Sequence, residues 1–349
     1  MRTSYKPEDV TLLLKDITGL VKPQSTQERE QQIQKGRHYC EMLPIEYSPS
    51  QAYMEAYENA LDVFSGETAR AVGILADRIV KERGKDVVLV SLARAGIPAA
   101  ILIRRYLLFK YGISVKHYSI SIIRGRGIDK NAVRYILERH PAKAILFVDG
   151  WIGKGAILNE LEKDVAEFPG VSPELAVLAD PANMTRLCGT HRDILIPSSC
   201  LNCTVSGLIS RTFLRDDIIG PDDFHGAVYY GELASQDLSY AFIHRIEETF
   251  EKNYEADEDV LDGKGIDEVR EIGKVYGIED VNLIKPGIGE ATRVLLRRVP
   301  WKVIVNRECA KDVELRHILR LAEEKQVPVE YYPLKHYKVC GIIKKLADA

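Results

Sequence analysis

Short apolar runs recur between residues 86 and 196, and most of them close in a glycine-bearing or basic turn that leads into helical sequence. This alternation constrains the fold more than any other feature. The runs are Asp86–Ser91, His117–Ile123, Ala144–Asp149, Leu175–Ala179 and Ile194–Ile196. Helical stretches at 97–110, 129–140 and after Gly155 separate the first of them. Strands alternating with helices of this length predict an α/β fold, a doubly wound parallel sheet. Ligands of such sheets bind at the carboxyl ends of the strands, where the loops beginning at Ser91, Arg124 and Asp149 fall. Residues 1–80 read as mostly helical. Ser25 and Glu28 fit a capping box, and apolar spacing recurs through 51–83.

With 349 residues, the chain is long enough for two domains. No apolar run reaches membrane-spanning length, so no membrane partner is expected. The first residues lack a secretory pattern. Six scattered cysteines do not form a disulfide framework, and the expectation is a cytoplasmic protein with reduced thiols. Charge divides the chain further. Residues 1–246 are neutral, residues 247–280 carry a net −9 and residues 281–349 a net +6. The segments read as an α/β body (1–246), an acidic connector (247–280) and a small basic domain (281–349). A compact basic unit suits a polyanion partner.

The strongest chemical motif is Asp149-Gly150-Trp151-Ile152-Gly153-Lys154-Gly155, between a strand and a helix beginning at Ala156. Glycines let backbone N–H groups converge on an anion, and the helix N-terminus adds partial positive charge. Asp149 could bind ribose hydroxyls or orient a metal. The plain alternative is a tight turn with glycines for geometry alone. The motif is not a Walker A loop, because glycine rather than serine or threonine follows Lys154. The loop Ser91-Leu92-Ala93-Arg94-Ala95-Gly96 repeats the theme, with Arg94 as a planar fork for pyrophosphate.

These two loops resemble the ribose-phosphate and pyrophosphate loops of type I phosphoribosyltransferases. Arg124-Gly125-Arg126-Gly127 sits where that fold carries its flexible catalytic lid. More closely, HYCEMLP (38–44), SLARAGIP (91–98), HYSISIIRGRGID (117–129), FVDGWIGKGAI (147–157) and IPSSCLNCTVSGLISRT (196–212) resemble the StiP-like, phosphoribosyltransferase-related proteins of tellurite-resistance and stress gene clusters. The resemblance implies a phosphoribosyl pyrophosphate (PRPP) site with Mg²⁺. Asp149 would meet the ribose and, through PRPP, the metal, and Gly150 would border the PRPP. Gly153, Lys154, Gly155 and Ala156 would hold the 5′-phosphate. Ser91, Leu92, Ala93, Arg94 and Ala95 would hold pyrophosphate, and Arg124 and Arg126 would close over it. The chain departs from the usual loop at Gly150, where a second acid is customary, and at Ala156, where a hydroxyl is.

The cysteines support a competing class. The StiP-like family is also described as cysteine proteases. On that reading Cys200, in Ser198-Ser199-Cys200-Leu201-Asn202, is the nucleophile, with His191, His117 and His225 as candidate bases. Asn202 could otherwise contact a base or acceptor. Cys188-x-x-His191 followed by Cys200-x-x-Cys203 has zinc-like spacing, but the apolar run between the pairs argues against zinc.

From Lys285 onward a second alternation appears: helix to 298, strand 301–305, helix 312–325, strand 327–332 and a final helix near 340–347. This resembles the Pelota-type RNA-binding domain. Gly287, Gly289, Glu290 and Arg293 match its RNA-contacting helix start, with Gly289 where an asparagine recurs. The leading expectation is a PRPP-dependent phosphoribosyltransferase carrying an RNA-binding domain. A Cys200 protease and a non-catalytic RNA-binding adaptor are the alternatives. Homo-oligomerisation is left open.

Overall fold

The computed structural model describes residues 1–46, 48–256 and 263–344. The body holds strands β1 (Thr11–Leu12), β2 (Lys15–Asp16), β3 (Val88–Ala93), β4 (Lys116–Ile123), β5 (Gly127–Ile128), β6 (Ile145–Trp151), β7 (Leu175–Ala179), β8 (Cys188–Thr190) and β9 (Gly226–Ala227). Its helices are α1 (Thr26–Gln34), α2 (Gln51–Arg83), α3 (Gly96–Tyr111), α4 (Lys130–Leu137), α5 (Ala156–Val165) and α6 (Ser239–Glu247). The main sheet runs β1-β4-β3-β6-β7-β8, parallel throughout, with β5 antiparallel on β4.

Both faces of this sheet are covered, as the continuous apolar runs require. Successive strand residues point to opposite faces. Leu89, Leu146 and Val148 pack with Leu75, Ile79, Ile101 and Leu102 of α2 and α3. Val88, Val90, Ile120 and Phe147 pack with Val133, Ile136, Leu158 and Leu161 of α4 and α5.

The C-terminal part contains α7 (Gly265–Tyr276), β10 (Ile284–Pro286), α8 (Ile288–Arg297), β11 (Pro300–Asn306), α9 (Arg316–Glu324), β12 (Val329–Tyr332) and β13 (Val339–Ile343). The strands form one sheet in the order β10-β13-β11-β12. Val269 and Ile272 of α7 pack with Ile284, Ile304 and Ile342 on one face. Ile288, Leu295, Ile318 and Leu321 of α8 and α9 pack with Val303, Val305 and Val339 on the other, in a cluster continuous with the α2–α3 core of the body. The two domains therefore share buried apolar surface. The helix α7, inside the acidic 247–280 stretch, is part of this C-terminal packing.

Three expectations are corrected. The first 24 residues are not helical: they supply the short edge strands β1 and β2. Ile194–Ile196 forms no strand, because Cys188–Thr190 takes the place beside β7 and Pro197 opens a turn directly after the run. The expected helix near 340–347 is instead the strand β13 over Val339–Ile343. There Gly341 lets α8 approach closely, a Cβ at that position lying 3.0 Å from Val294. Residues 345–347 of that expected helix lie outside the described residues.

Candidate active site

The glycine turn after β6 is filled by the protein itself. Lys154, on the way into α5, donates its Nζ to the carbonyl oxygens of Val281 (2.5 Å) and Ile284 (3.1 Å) in the C-terminal domain. The Gly153 carbonyl accepts from the Tyr337 hydroxyl at 2.7 Å. Gly155, at φ +86°, supports the turn into α5, where a Cβ would collide with the Met184 side chain. Ala156 is the first residue of α5. Gly150 donates its N–H to Oδ1 of Asp149 at 2.8 Å. Burial pushes the Asp149 carboxyl up to about 7, with the Gly150 N–H and Arg293 opposing the shift.

The Ser91–Ala95 loop is likewise engaged. Ser91 is buried beneath the cleft, its hydroxyl 2.8 Å from Nε2 of His117. Arg94 donates to Glu46 (3.3 Å), to the Ile209 carbonyl (2.9 Å) and to Oδ1 of Asn202 (3.0 Å). Leu92, Ala93 and Ala95 do line the cleft above. Of the lid arginines, Arg124 bonds Asn282 at 3.0 Å and Arg126 bonds Glu41 at 2.8 Å. These groups hold protein rather than presenting a free cradle, and they do not fit a Mg²⁺–PRPP complex.

Cys200 ends a 3-10 turn, Pro197–Cys200, and is fully buried in the core. The three candidate imidazoles have other engagements. His117 meets the Asp9 carbonyl and Ser91 through its two nitrogens. His225 Nδ1 meets Ser121 Oγ at 2.9 Å. His191 meets a different thiol, Cys188, whose Sγ lies 3.4 Å from Nε2.

The other nitrogen of His191, Nδ1, lies 3.0 Å from the Asp180 carbonyl oxygen. A carbonyl oxygen only accepts, so Nδ1 carries the proton and Nε2 faces the thiol with its lone pair. The Asp180 carboxylate is 3.8 Å from the same Nδ1. Its Oδ2 accepts the N–H groups of Met184 and Thr185, fixing the loop after β7. From α2, Arg78 donates to the Cys188 carbonyl (2.8 Å) and approaches its sulfur at 3.5 Å. Burial and then the Asp180 charge push the Cys188 thiol up to about 12, and Arg78 opposes that rise.

A second thiol–imidazole contact, His38 Nδ1 to Cys40 Sγ at 2.9 Å, has a structural explanation. The same Nδ1 accepts the Cys40 N–H and so caps the short turn Tyr39–Glu41. The C-x-x-H spacing at 188–191 was visible in the sequence as half of a zinc pattern. Asp180 and Arg78 carried no local signal, because β7 and α2 bring them in from a distance. Among the described residues no cluster of three or more His, Cys, Asp or Glu has metal-holding geometry.

The helix start of α8 faces the body. Ile288 N–H and Lys338 N–H donate to the two carboxylate oxygens of Asp193, at 3.0 and 2.9 Å. Gly287, at φ +92°, sits against that carboxylate, and Gly289 lies over Ser199 and Trp151. Glu290 pairs with Arg293 at 3.0 Å, and the Arg293 guanidinium stacks 4.7 Å from the Trp151 ring.

A model of the family described as "Tellurite-like stress resistance cysteine protease StiP" matches residues 3–247. A model of the "PELOTA RNA binding domain" matches residues 263–345. The "Cysteine protease StiP" of Acinetobacter baylyi (strain ATCC 33305 / BD413 / ADP1) is 35% identical over 365 residues, covering 98% of this chain and 94% of that protein. Two solved hypoxanthine-guanine phosphoribosyltransferases align only weakly. That of Bacillus anthracis is 18% identical over 35% of this chain and 71% of its own, with a TM-score of 0.26. That of Leishmania tarentolae, in complex with GMP, is 16% identical over 41% of this chain and 74% of its own, with a TM-score of 0.23. The leading expectation of PRPP-dependent phosphoribosyl transfer is overturned. The family and the full-length relative are cysteine proteases, and the loops expected to hold PRPP hold the C-terminal domain and the cleft wall instead. No helix among the described residues is long and apolar enough to cross a membrane.

Proposed function

The chain belongs to the StiP family of tellurite-like stress resistance cysteine proteases, and from that premise we propose that it cleaves peptide bonds with Cys188 as nucleophile and His191 as general base. The observation that carries this reading is the 3.4 Å approach of Cys188 Sγ to the unprotonated Nε2 of His191. Nucleophile, base and an orienting third group are the parts an activated thiol needs. Here the Asp180 carbonyl fixes the tautomer and its carboxylate lies close enough to steady the imidazolium.

In the reaction, His191 takes the thiol proton as sulfur attacks the substrate carbonyl. It returns that proton to the leaving amine, and a thioester forms. Water, deprotonated by the same imidazole, then releases the acid and restores the thiol. Arg78 stabilises the thiolate through charge. Cys188 is fully buried in this structure, so the proposed reaction requires the 180–193 segment to move before substrate reaches the sulfur. The C-terminal domain touches that segment at Ala182, whose carbonyl accepts the Gly265 N–H at 3.0 Å, and at Asp193.

The test is hydrolysis of an unfolded fluorescent casein by the full chain and by its Cys188→Ala and Cys200→Ala variants. Loss confined to Cys188→Ala supports the assignment. Loss confined to Cys200→Ala overturns it.

For residues 263–345 the reading is RNA binding, supported by the family match and the net positive charge of 281–349. It is tested by salt-dependent RNA binding of the full chain.

A further inference from the structure

A cleft of about 890 Å³ opens between the body and the C-terminal domain, above the carboxyl ends of β3 and β6. Cationic side chains line it from both sides. Arg94 and Arg211 stand on the body wall, and Lys285 and Arg293 on the wall formed by β10 and α8. Two of these cations lack an ionic partner among the described residues. The Arg211 guanidinium stacks 4.9 Å from the Tyr39 ring, and its pKa is pushed down to about 10 by burial and by Arg29 and Arg94, although Tyr39 and, in the cleft lining, Glu46 oppose the shift. Lys285 is likewise lowered, by burial and by Arg124 and Arg298, although Glu290 opposes the shift. A buried cation beside other cations is costly unless an anion joins it. An unpaired cation on each of two facing walls marks the place of an extended anion.

We propose that this cleft is a site for unpaired RNA, and that the body contributes Arg211 to it as a phosphate contact facing Lys285. The proposal rests on the RNA-binding reading of residues 263–345. The helix start expected to meet RNA does not look outward. Glu290 and Arg293 line this cleft, so a strand reaching them passes the body's arginines. A cleft of this volume suits small or single-stranded ligands rather than a duplex. Unpaired bases are also the usual target of sequence-reading RNA modules. The body thereby completes the binding surface that the smaller domain begins.

The experiment measures fluorescence anisotropy of a 5′-labelled single-stranded RNA 12-mer with the full chain across a salt series. The variants are Arg211→Ala, Arg211→Lys, Lys285→Ala and the double alanine. Circular dichroism melts establish which of them are folded. Each alanine is expected to weaken binding roughly fivefold and to reduce the salt slope by about 0.7, with Arg211→Lys recovering most of both. Should Arg211→Ala fail to fold, Lys285→Ala on the opposite wall carries the test. RNA binding with unchanged affinity and slope in the folded alanine variants overturns the cleft assignment and leaves the RNA reading standing. Absence of RNA binding by the wild-type chain overturns both. Inorganic pyrophosphate serves as competitor. If it depends on Arg211 while the RNA does not, the cleft is a small-anion site and the proposal fails.

Discussion

The Asp193 carboxylate accepts the backbone N–H of Ile288 across the domain boundary at 3.0 Å, tying the start of α8 to the body. Its second oxygen takes the Lys338 N–H. One buried side chain thus satisfies two donors of the smaller domain. Asp193→Ala leaves both N–H groups without their partner, each costing about 1–3 kcal/mol. The expected outcome is a thermal midpoint several degrees lower and a larger radius of gyration in small-angle scattering. Unchanged values would show that the shared apolar core alone docks the domains.

Removing the His191 ring or the Cys188 sulfur deletes a member of the proposed catalytic pair. Proteolysis by Cys188→Ala and His191→Ala is expected to fall about a thousandfold or more. Cys40→Ala should retain most activity, because its imidazole neighbour caps a turn. Arg78→Ala is expected to slow alkylation of Cys188 by iodoacetamide, with Arg78→Lys in between. Peptide mapping of the alkylated thiol reads this directly, and equal rates in all three proteins would remove Arg78 from the site.

Asp149 offers a pH test. Its folded carboxyl is raised to about 7, above the ordinary unfolded value. Between those values the folded chain holds a proton that the unfolded chain has released. The stability contributed by this group is therefore fully present in acid and is lost as pH rises through 7. Asp149→Asn has no such dependence. Its thermal midpoint should stay close to wild type at pH 4 and exceed it by a few degrees at pH 8. A difference that does not grow with pH would contradict the buried-acid assignment.

Gly189 separates Cys188 from Thr190 in β8, between α2 and β7. A Cβ there would collide with the backbone carbonyl of Ala71 and crowd that of Leu178. Backbone cannot rotate away as a side chain can. Gly189→Ala is expected to cost about 2–4 kcal/mol and to lower the urea midpoint without changing the slope.

The sheet was legible because its strands are short apolar runs bounded by turn residues, so β3, β4, β6 and β7 follow from Asp86–Ser91, His117–Ile123, Ala144–Asp149 and Leu175–Ala179. Where apolar character lacked an edge signal the reading failed. Ile194–Ile196 is buried as loop, and Cys188–Thr190, with no apolar run of its own, takes the edge of the sheet. Val339–Ile343 forms a strand where a helix was expected, and its Gly341 answers to the approach of α8, which the sequence does not display. The candidate site was legible by residue type, while the contact proposed for it joins different partners. His191 was a candidate base for Cys200, yet a three-residue reach along its own segment brings it to Cys188. The glycine turn was recognisable as a cradle. What fills it, Lys154 bridging to Val281 and Ile284, depends on a domain more than 120 residues away.

The helix α2 has 33 residues, roughly 50 Å end to end. Near its start the Tyr53 hydroxyl bonds the Leu296 carbonyl of α8. Midway, Glu67 pairs with Arg192 at 3.0 Å. Near its end Arg78 grips Cys188. A single stiff rod thus touches the smaller domain near its start and Cys188 near its end. A tilt of the rod would move both contacts, a lever that adds to the direct contacts at Ala182 and Asp193 through which the tail already touches the segment of the thiol.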